Sequence, residues 1–248
     1  YLEGLRGLGY DGPAYHLYPY IDPSDYTYPS REDMEALRNR LGLREEDKVI
    51  LTVARLDPMK AQDRVISALK KVLTMFPKAR LVLVGDGSFS SSKSGIGLPK
   101  AERWLQYLKN CVRELGLDNS VVFAGYLREK ELCAAYEMSD VFVLPSIREG
   151  FGLVVVEAWL YKKPAIVSAY AGVADLIDEG ENGFTFNPED TEELASKIIT
   201  VLQNKRGLAD RLGEAGFKTS QLCHIDMGVK REAEILSEYV GGIIHAAA

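Results

Sequence analysis

Short apolar runs alternate with amphipathic stretches through the middle of the chain. Residues 49–54, 81–85, 121–124, 141–144 and 165–167 are apolar at nearly every position. Continuous apolarity of this kind marks strands covered on both faces rather than one. Between these runs, residues 62–75, 100–115, 129–138 and 153–161 space their apolar side chains at helical intervals. Strand–helix alternation predicts an α/β fold, a Rossmann-like doubly wound parallel sheet. In such a sheet the ligand crevice lies at the C-terminal edges of the strands.

The flanks read differently. Residues 10–31 are rich in Tyr, Pro and Asp, as in Tyr18-Pro19-Tyr20-Ile21-Asp22-Pro23, the composition of a surface connector whose tyrosines pack. A charged helix is predicted over 31–41, with Ser30 as N-cap and Asp33 three positions on. Residues 45–48 (Glu-Glu-Asp-Lys) suggest a solvated turn. Small polar residues over 86–99 predict a surface loop. Beyond Phe186 helices dominate, over 191–204, 208–217 and 225–239. The chain opens on Tyr1-Leu2-Glu3-Gly4-Leu5-Arg6 rather than Met, like the end of a helix, so a preceding segment is expected.

Composition narrows the function. The chain has 248 residues, 46% hydrophobic and 27% charged, with a net charge of -6. Without a long basic cluster, binding to a nucleic-acid backbone is not expected. Cys111, Cys133 and Cys223 are odd in number and far apart, which fits free thiols in a reducing cytoplasm rather than a disulfide or zinc framework. No apolar run reaches the ~18 residues of a membrane span; peripheral membrane association of a full-length protein stays open. Trp104 and Trp159 fall on helices as packing groups, and His16, His224 and His245 lie away from the strand ends.

The candidate chemistry gathers where strands end. Arg55 and Lys60 follow the first strand and place two cations at the mouth of the crevice; Arg grips phosphate in two-pronged fashion and Lys adds a movable charge. Gly125-Tyr126-Leu127-Arg128 follows the third strand, a shelf for a base. The fourth is followed by Pro145-Ser146 and by Ile147-Arg148-Glu149-Gly150-Phe151-Gly152-Leu153-Val154-Val155-Val156-Glu157. Here two carboxylates, Glu149 and Glu157, flank a glycine turn that opens a helix, and a helix start offers free N–H groups and partial positive charge to an anion. A nucleotide sugar has the matching parts. Glu149 would hold sugar hydroxyls, Glu157 the ribose diol, and Arg55, Lys60 and the amides of Gly150 to Leu153 the diphosphate. The chain contains no Asp-x-Asp pair, so no metal or other cofactor is expected. An NAD enzyme is disfavoured because no Gly-x-Gly-x-x-Gly follows the first strand.

These residues resemble the nucleotide-binding half of a GT-B glycosyltransferase, in particular the retaining family 4 (glycosyltransferases group 1). Glu149 and Glu157 match its Glu-x7-Glu signature, and Arg55 and Lys60 its Arg-x4-Lys element. Lys163-Pro164-Ala165-Ile166-Val167-Ser168, Gly172-Val173-Ala174-Asp175-Leu176-Ile177 and Asn182-Gly183-Phe184 also look like the family. The resemblance implies retaining transfer of a hexose from a UDP- or GDP-sugar, UDP slightly preferred. It implies diphosphate contacts at Arg55 and Lys60, donor-sugar contacts around Glu149, Gly150, Phe151, Gly152 and Leu153, and a ribose contact at Glu157. It implies three parts: 1–30 as remnant of an N-terminal domain and connector, 31–204 as the donor-binding domain, and 205–248 as C-terminal helices and tail. The acceptor, a sugar, glycan or lipid, would bind the missing N-terminal domain. Ala61 stands where the family has Gly. The stretch Ser146 to Leu153 also looks like trehalose-forming members. The alternatives are a sugar phosphorylase of the same architecture and a non-catalytic nucleotide-sugar-binding module.

Overall fold

The structure is a computed structural model that describes residues 6–12, 14–87 and 98–246. Most of the loop expected over 86–99, and residues 1–5 of the expected opening helix end, lie outside the described residues. Contacts divide the chain into two units, residues 23–220 and residues 1–22 with 221–248.

In the larger unit six parallel strands form one sheet: β1 (Lys48–Val53), β2 (Ala79–Val84), β3 (Val121–Gly125), β4 (Val141–Leu144), β5 (Ala165–Ser168) and β6 (Gly183–Phe186). Their order is β3-β2-β1-β4-β5-β6. The helices are α1 (Arg31–Leu41), α2 (Gln62–Met75), α3 (Leu98–Glu114), α4 (Glu129–Glu137), α5 (Leu153–Leu160), α6 (Thr191–Gln203) and α7 (Leu208–Ser220). The doubly wound α/β reading holds. The chain winds outward from β1 to β3, then returns to add β4 on the other side of β1. That reversal opens a crevice between the C-terminal ends of β1 and β4.

Both sheet faces are covered, as the apolar runs require. Ile50, Leu81, Val143 and Ile166 pack with Val65 and Leu69 of α2, Leu108 of α3 and Ile198 of α6 in one buried cluster. All four residues of β4 are fully buried. Across the sheet, Phe142 meets Tyr136 of α4 with ring centroids 5.8 Å apart. Trp159 of α5 is fully buried. It leaves no room for a side chain at Gly216 of α7, whose Cβ would lie 2.3 Å from its ring.

Two local expectations changed. The sixth strand, parallel to β5, escaped the sequence reading. Its four residues, Gly-Phe-Thr-Phe, are half-buried in the middle and lie at the sheet edge, and Thr185 between the two phenylalanines breaks the apolar run by which the other strands were read. The expected solvated turn over 45–48 instead buries Asp47. Its Oδ2 accepts a hydrogen bond from the Arg44 amide at 2.8 Å, and Arg80 lies 3.6 Å away. At α1 the cap is as expected: Ser30 Oγ accepts from the Asp33 amide at 3.1 Å, and Asp33 accepts from the Ser30 amide at 3.0 Å.

The smaller unit is built on α8 (Ile225–Ala246). Ile21 joins it through its amide to the Cys223 carbonyl and through its carbonyl to the Ile225 amide, both at 2.9 Å. Among the described residues no helix is long and apolar enough to cross a membrane.

Candidate functional site

The loop after β1 is held by side-chain hydrogen bonds and an ion pair. Asp57 caps a single 3-10 turn, Pro58–Lys60, by accepting from the Met59 amide at 2.9 Å, and it pairs with Lys100 at 2.7 Å. Burial pushes the Asp57 carboxyl up, but Lys100, the Met59 amide and the nearby Arg55 outweigh it and hold the carboxyl below its ordinary range. Gln62, buried at the start of α2, donates to the Arg55 carbonyl at 2.8 Å and accepts from the Trp104 indole at 2.8 Å. Ala61, the departure from the family's Gly, adopts left-handed backbone at φ 48° and ψ 41°. It performs the glycine's turn at a conformational cost of about 1–2 kcal/mol.

Opposite stands the loop after β4. The Ile147 amide donates to the Met59 carbonyl at 3.0 Å, tying the two loops together. The Lys60 ammonium then meets Glu149 Oε2 at 2.5 Å, with each side chain only 15% exposed. Ser146 Oγ donates to the same oxygen at 3.1 Å. Thus residues 89 positions apart in sequence form one ion pair at the switch point.

The glycine turn beside this pair is packed from below. Gly152 holds φ 105°, and a Cβ there would lie 2.7 Å from Leu144. A Cβ on Gly172 would lie 2.3 Å from the Gly150 carbonyl, and the Val173 amide donates to Phe151 at 2.9 Å. Gly152 supplies no side-chain cap to α5; in the first turn the Val155 amide donates to the Gly152 carbonyl at 2.9 Å, and the start of the helix presents its positive dipole end to the crevice.

Of the remaining predicted residues, Arg55, Tyr126 and Leu127 follow strand ends and Glu157 sits within α5; none joins the pair. Tyr126 is 53% exposed after β3, whereas Leu127 is buried. Any contact from Leu127 to a base must therefore come from its backbone. Arg55 lies two residues beyond β1, with its carbonyl fixed by Gln62 and its charge acting on Asp57. Glu157 lies deeper in α5, where Tyr136 donates to it at 2.6 Å and Tyr26 hydrogen-bonds the same carboxylate. Burial raises the Glu157 carboxyl above its ordinary range, and the two phenols pull it partly back. Sequence reading missed Gln62, Ser146, Tyr26 and Tyr136. Ser146 stands three residues before Glu149 in a turn and could have been found; the others depend on packing. Among the described residues no group of three or more His, Cys, Asp or Glu could hold a metal ion. A cavity of about 690 Å³ against α1 is lined by Arg31, Arg38 and Arg44. It lies off the strand ends, with Arg31 already paired to Glu35 and Arg38 bonded to the Arg44 carbonyl.

A parallel sheet whose switch point carries an ion pair beside a helix start without a side-chain cap defines a doubly wound α/β domain. The chain belongs to the glycosyl transferases group 1 family, which residues 33–219 match. Mannosylfructose-phosphate synthase of Agrobacterium fabrum is 28% identical over 221 residues, covering 89% of this chain and 46% of that protein. The crystal structure of Anabaena HepE in complex with UDP-glucose superposes with a TM-score of 0.75 at 28% identity, covering 90% of this chain and 57% of that one. Sucrose-phosphate synthase from Thermosynechococcus elongatus gives a TM-score of 0.77 at 25% identity, covering 97% and 56%. The chain thus spans about half the length of these relatives. The structural neighbours carry the GT-B architecture expected from the sequence.

Proposed function

We propose that this chain is the donor-binding part of a retaining glycosyltransferase that moves a hexose from a nucleoside-diphosphate sugar to an acceptor. The observation that carries the reading is the Lys60–Glu149 pair, 2.5 Å apart at the β1/β4 switch point beside the uncapped start of α5. Departure of the nucleoside diphosphate leaves growing negative charge on the phosphate oxygens, and catalysis needs preorganised donors there. Lys60, Arg55 and the amides of Gly150 to Leu153 supply them, so no essential metal is invoked. Glu149 accepts from donor-sugar hydroxyls and its charge favours a cationic anomeric centre during front-face substitution. Glu157 accepts from the ribose diol, while the strand-end shelf at Tyr126 and Leu127 takes the base. From β3 to β4 the rim spans three inter-strand spacings, about 14 Å, which suits an extended base–ribose–diphosphate. The UDP-glucose complex of HepE favours a UDP-sugar.

Calorimetric titration of the chain with UDP-, GDP- and ADP-sugars and with glycosyl phosphates tests this. A nucleoside diphosphate sugar should bind, and Lys60→Ala or Arg55→Ala should each weaken it by about 1.5–3 kcal/mol. Unchanged affinity in both variants would end the cradle. Tighter binding of a bare glycosyl phosphate would point to a phosphorylase. Because the chain is about half the length of its relatives, transfer is expected only with the remainder of the enzyme.

A further inference from the structure

Tyrosines gather against the part of α5 that carries Glu157. Tyr136 is fully buried and donates to Glu157 Oε2 at 2.6 Å. Tyr26 supplies a second phenol to the same carboxylate. Both are held from behind. Tyr161 stacks on Tyr136, centroids 5.8 Å apart and planes within 10°, and donates to the Thr27 carbonyl at 3.1 Å. Tyr28 donates to the Leu160 carbonyl at 3.2 Å. The residues around Tyr26 are thereby tied to α5.

The type of partner matters. A carboxylate has about four acceptor positions. Two phenols fill two and leave two, the number a vicinal diol needs. A lysine or arginine would have oriented the acid equally well but would have neutralised it. Phenols orient it without adding an opposite charge, and they pull its carboxyl back toward the ionised form against the effect of burial. We propose that Tyr136 and Tyr26 are positioning residues that hold the Glu157 carboxylate with two acceptor positions open to the ribose diol of the donor nucleotide, an assignment that rests on the donor-site reading above. The other titratable groups against this cluster are Tyr161 and Cys133, with Asp25 beside Tyr26.

A diol-dependent and pH-dependent readout separates positioning from plain structural support. The chain is titrated by calorimetry with UDP and with 2′,3′-dideoxy-UDP, or with the GDP pair where GDP binds more tightly, at about pH 6 and about pH 8.5. The unaltered chain should prefer the ribose form by about tenfold or more. Tyr136→Phe and Tyr26→Phe should each erode that preference while leaving the dideoxy affinity unchanged. The erosion should be larger at the lower pH, because a carboxylate that loses a phenol takes up a proton more readily. Equal weakening of both ligands, or an intact preference in both variants, overturns the proposal. Glu157→Gln with its preference intact would remove Glu157 from the ribose, a separate failure that strikes the donor-site reading itself. Binding of neither nucleotide would do the same.

Discussion

Replacing Glu149 by Gln isolates the electrostatics of the switch point. Glu149 Oε2 lies 2.5 Å from the Lys60 ammonium. A phosphate oxygen on the same ammonium would sit ~2.8 Å away, so the two legs place it within roughly 5.3 Å of the carboxylate oxygen. At that distance two negative charges repel by about 0.8 kcal/mol at the dielectric of water and about 3 kcal/mol at an effective dielectric of 20. With both side chains only 15% exposed, screening by water is partial, and a value of about 1–2 kcal/mol follows. Glu149→Gln keeps the shape and removes the charge. It should therefore tighten UDP binding by about tenfold while lowering turnover once the rest of the enzyme is present. UDP-glucose should gain less than UDP, because its sugar loses a charged acceptor. Calorimetry on the chain supplies the affinities, and a transfer assay on the full-length enzyme supplies the rate. Weaker or unchanged UDP binding would refute the reasoning, since it would place the diphosphate out of reach of the pair.

Two further outcomes follow from the structure. Gly85→Ala puts a methyl 2.1 Å from the Ala54 carbonyl at φ 127°, whereas Gly116→Ala, at φ 69°, meets nothing within 4 Å. Urea denaturation should show the first losing about 2–4 kcal/mol and the second about 1 kcal/mol; equal losses would contradict the packing at the end of β1. Glu157→Gln should raise stability in a pH-dependent way. The folded chain raises the Glu157 carboxyl above its ordinary 4.5, so the fold binds that proton more tightly than the unfolded chain does. Its contribution is fully favourable at low pH and is lost as pH rises through the raised value. The advantage of the Gln variant over the unaltered chain should accordingly grow from about pH 4.5 upward, and a flat difference in denaturation midpoints across that range would refute the assignment.

What the sequence made legible depended on how each residue finds its partner. Lys60 and Glu149 are 89 positions apart, yet both follow a strand. Once the alternation of strands and helices implies a parallel sheet, residues just beyond strand ends fall on one rim. The order β3-β2-β1-β4-β5-β6 puts β1 beside β4 and turns shared rim into direct contact. Strands β1 to β5 were legible because each carries a run of three or more consecutive apolar residues. β6 was not, since in Gly-Phe-Thr-Phe no two apolar side chains are consecutive. Asp47 was misread because charge runs signal solvent only when no partner folds over them. Its Arg80 partner lies 33 residues away on β2.

The phenols around Glu157 mark the boundary of this kind of reading. Tyr136 sits on α4 and Glu157 on α5, and Tyr26 comes from the segment before α1. Nothing in helical periodicity says which face of α4 meets which turn of α5; that depends on side-chain volumes such as the Tyr136–Phe142 and Tyr136–Tyr161 ring contacts. Loops at strand ends inherit their neighbours from topology, whereas side chains on helices inherit theirs from packing. Under the donor-site reading proposed above, a ligand lying along the rim would be recognised by both kinds of residue. The diphosphate end would use charges and amides that topology delivers, and the ribose end would depend on an acid whose orientation is a product of the core. Substitutions at the first end should alter affinity with the fold intact, while those at the second should couple affinity to stability and to pH.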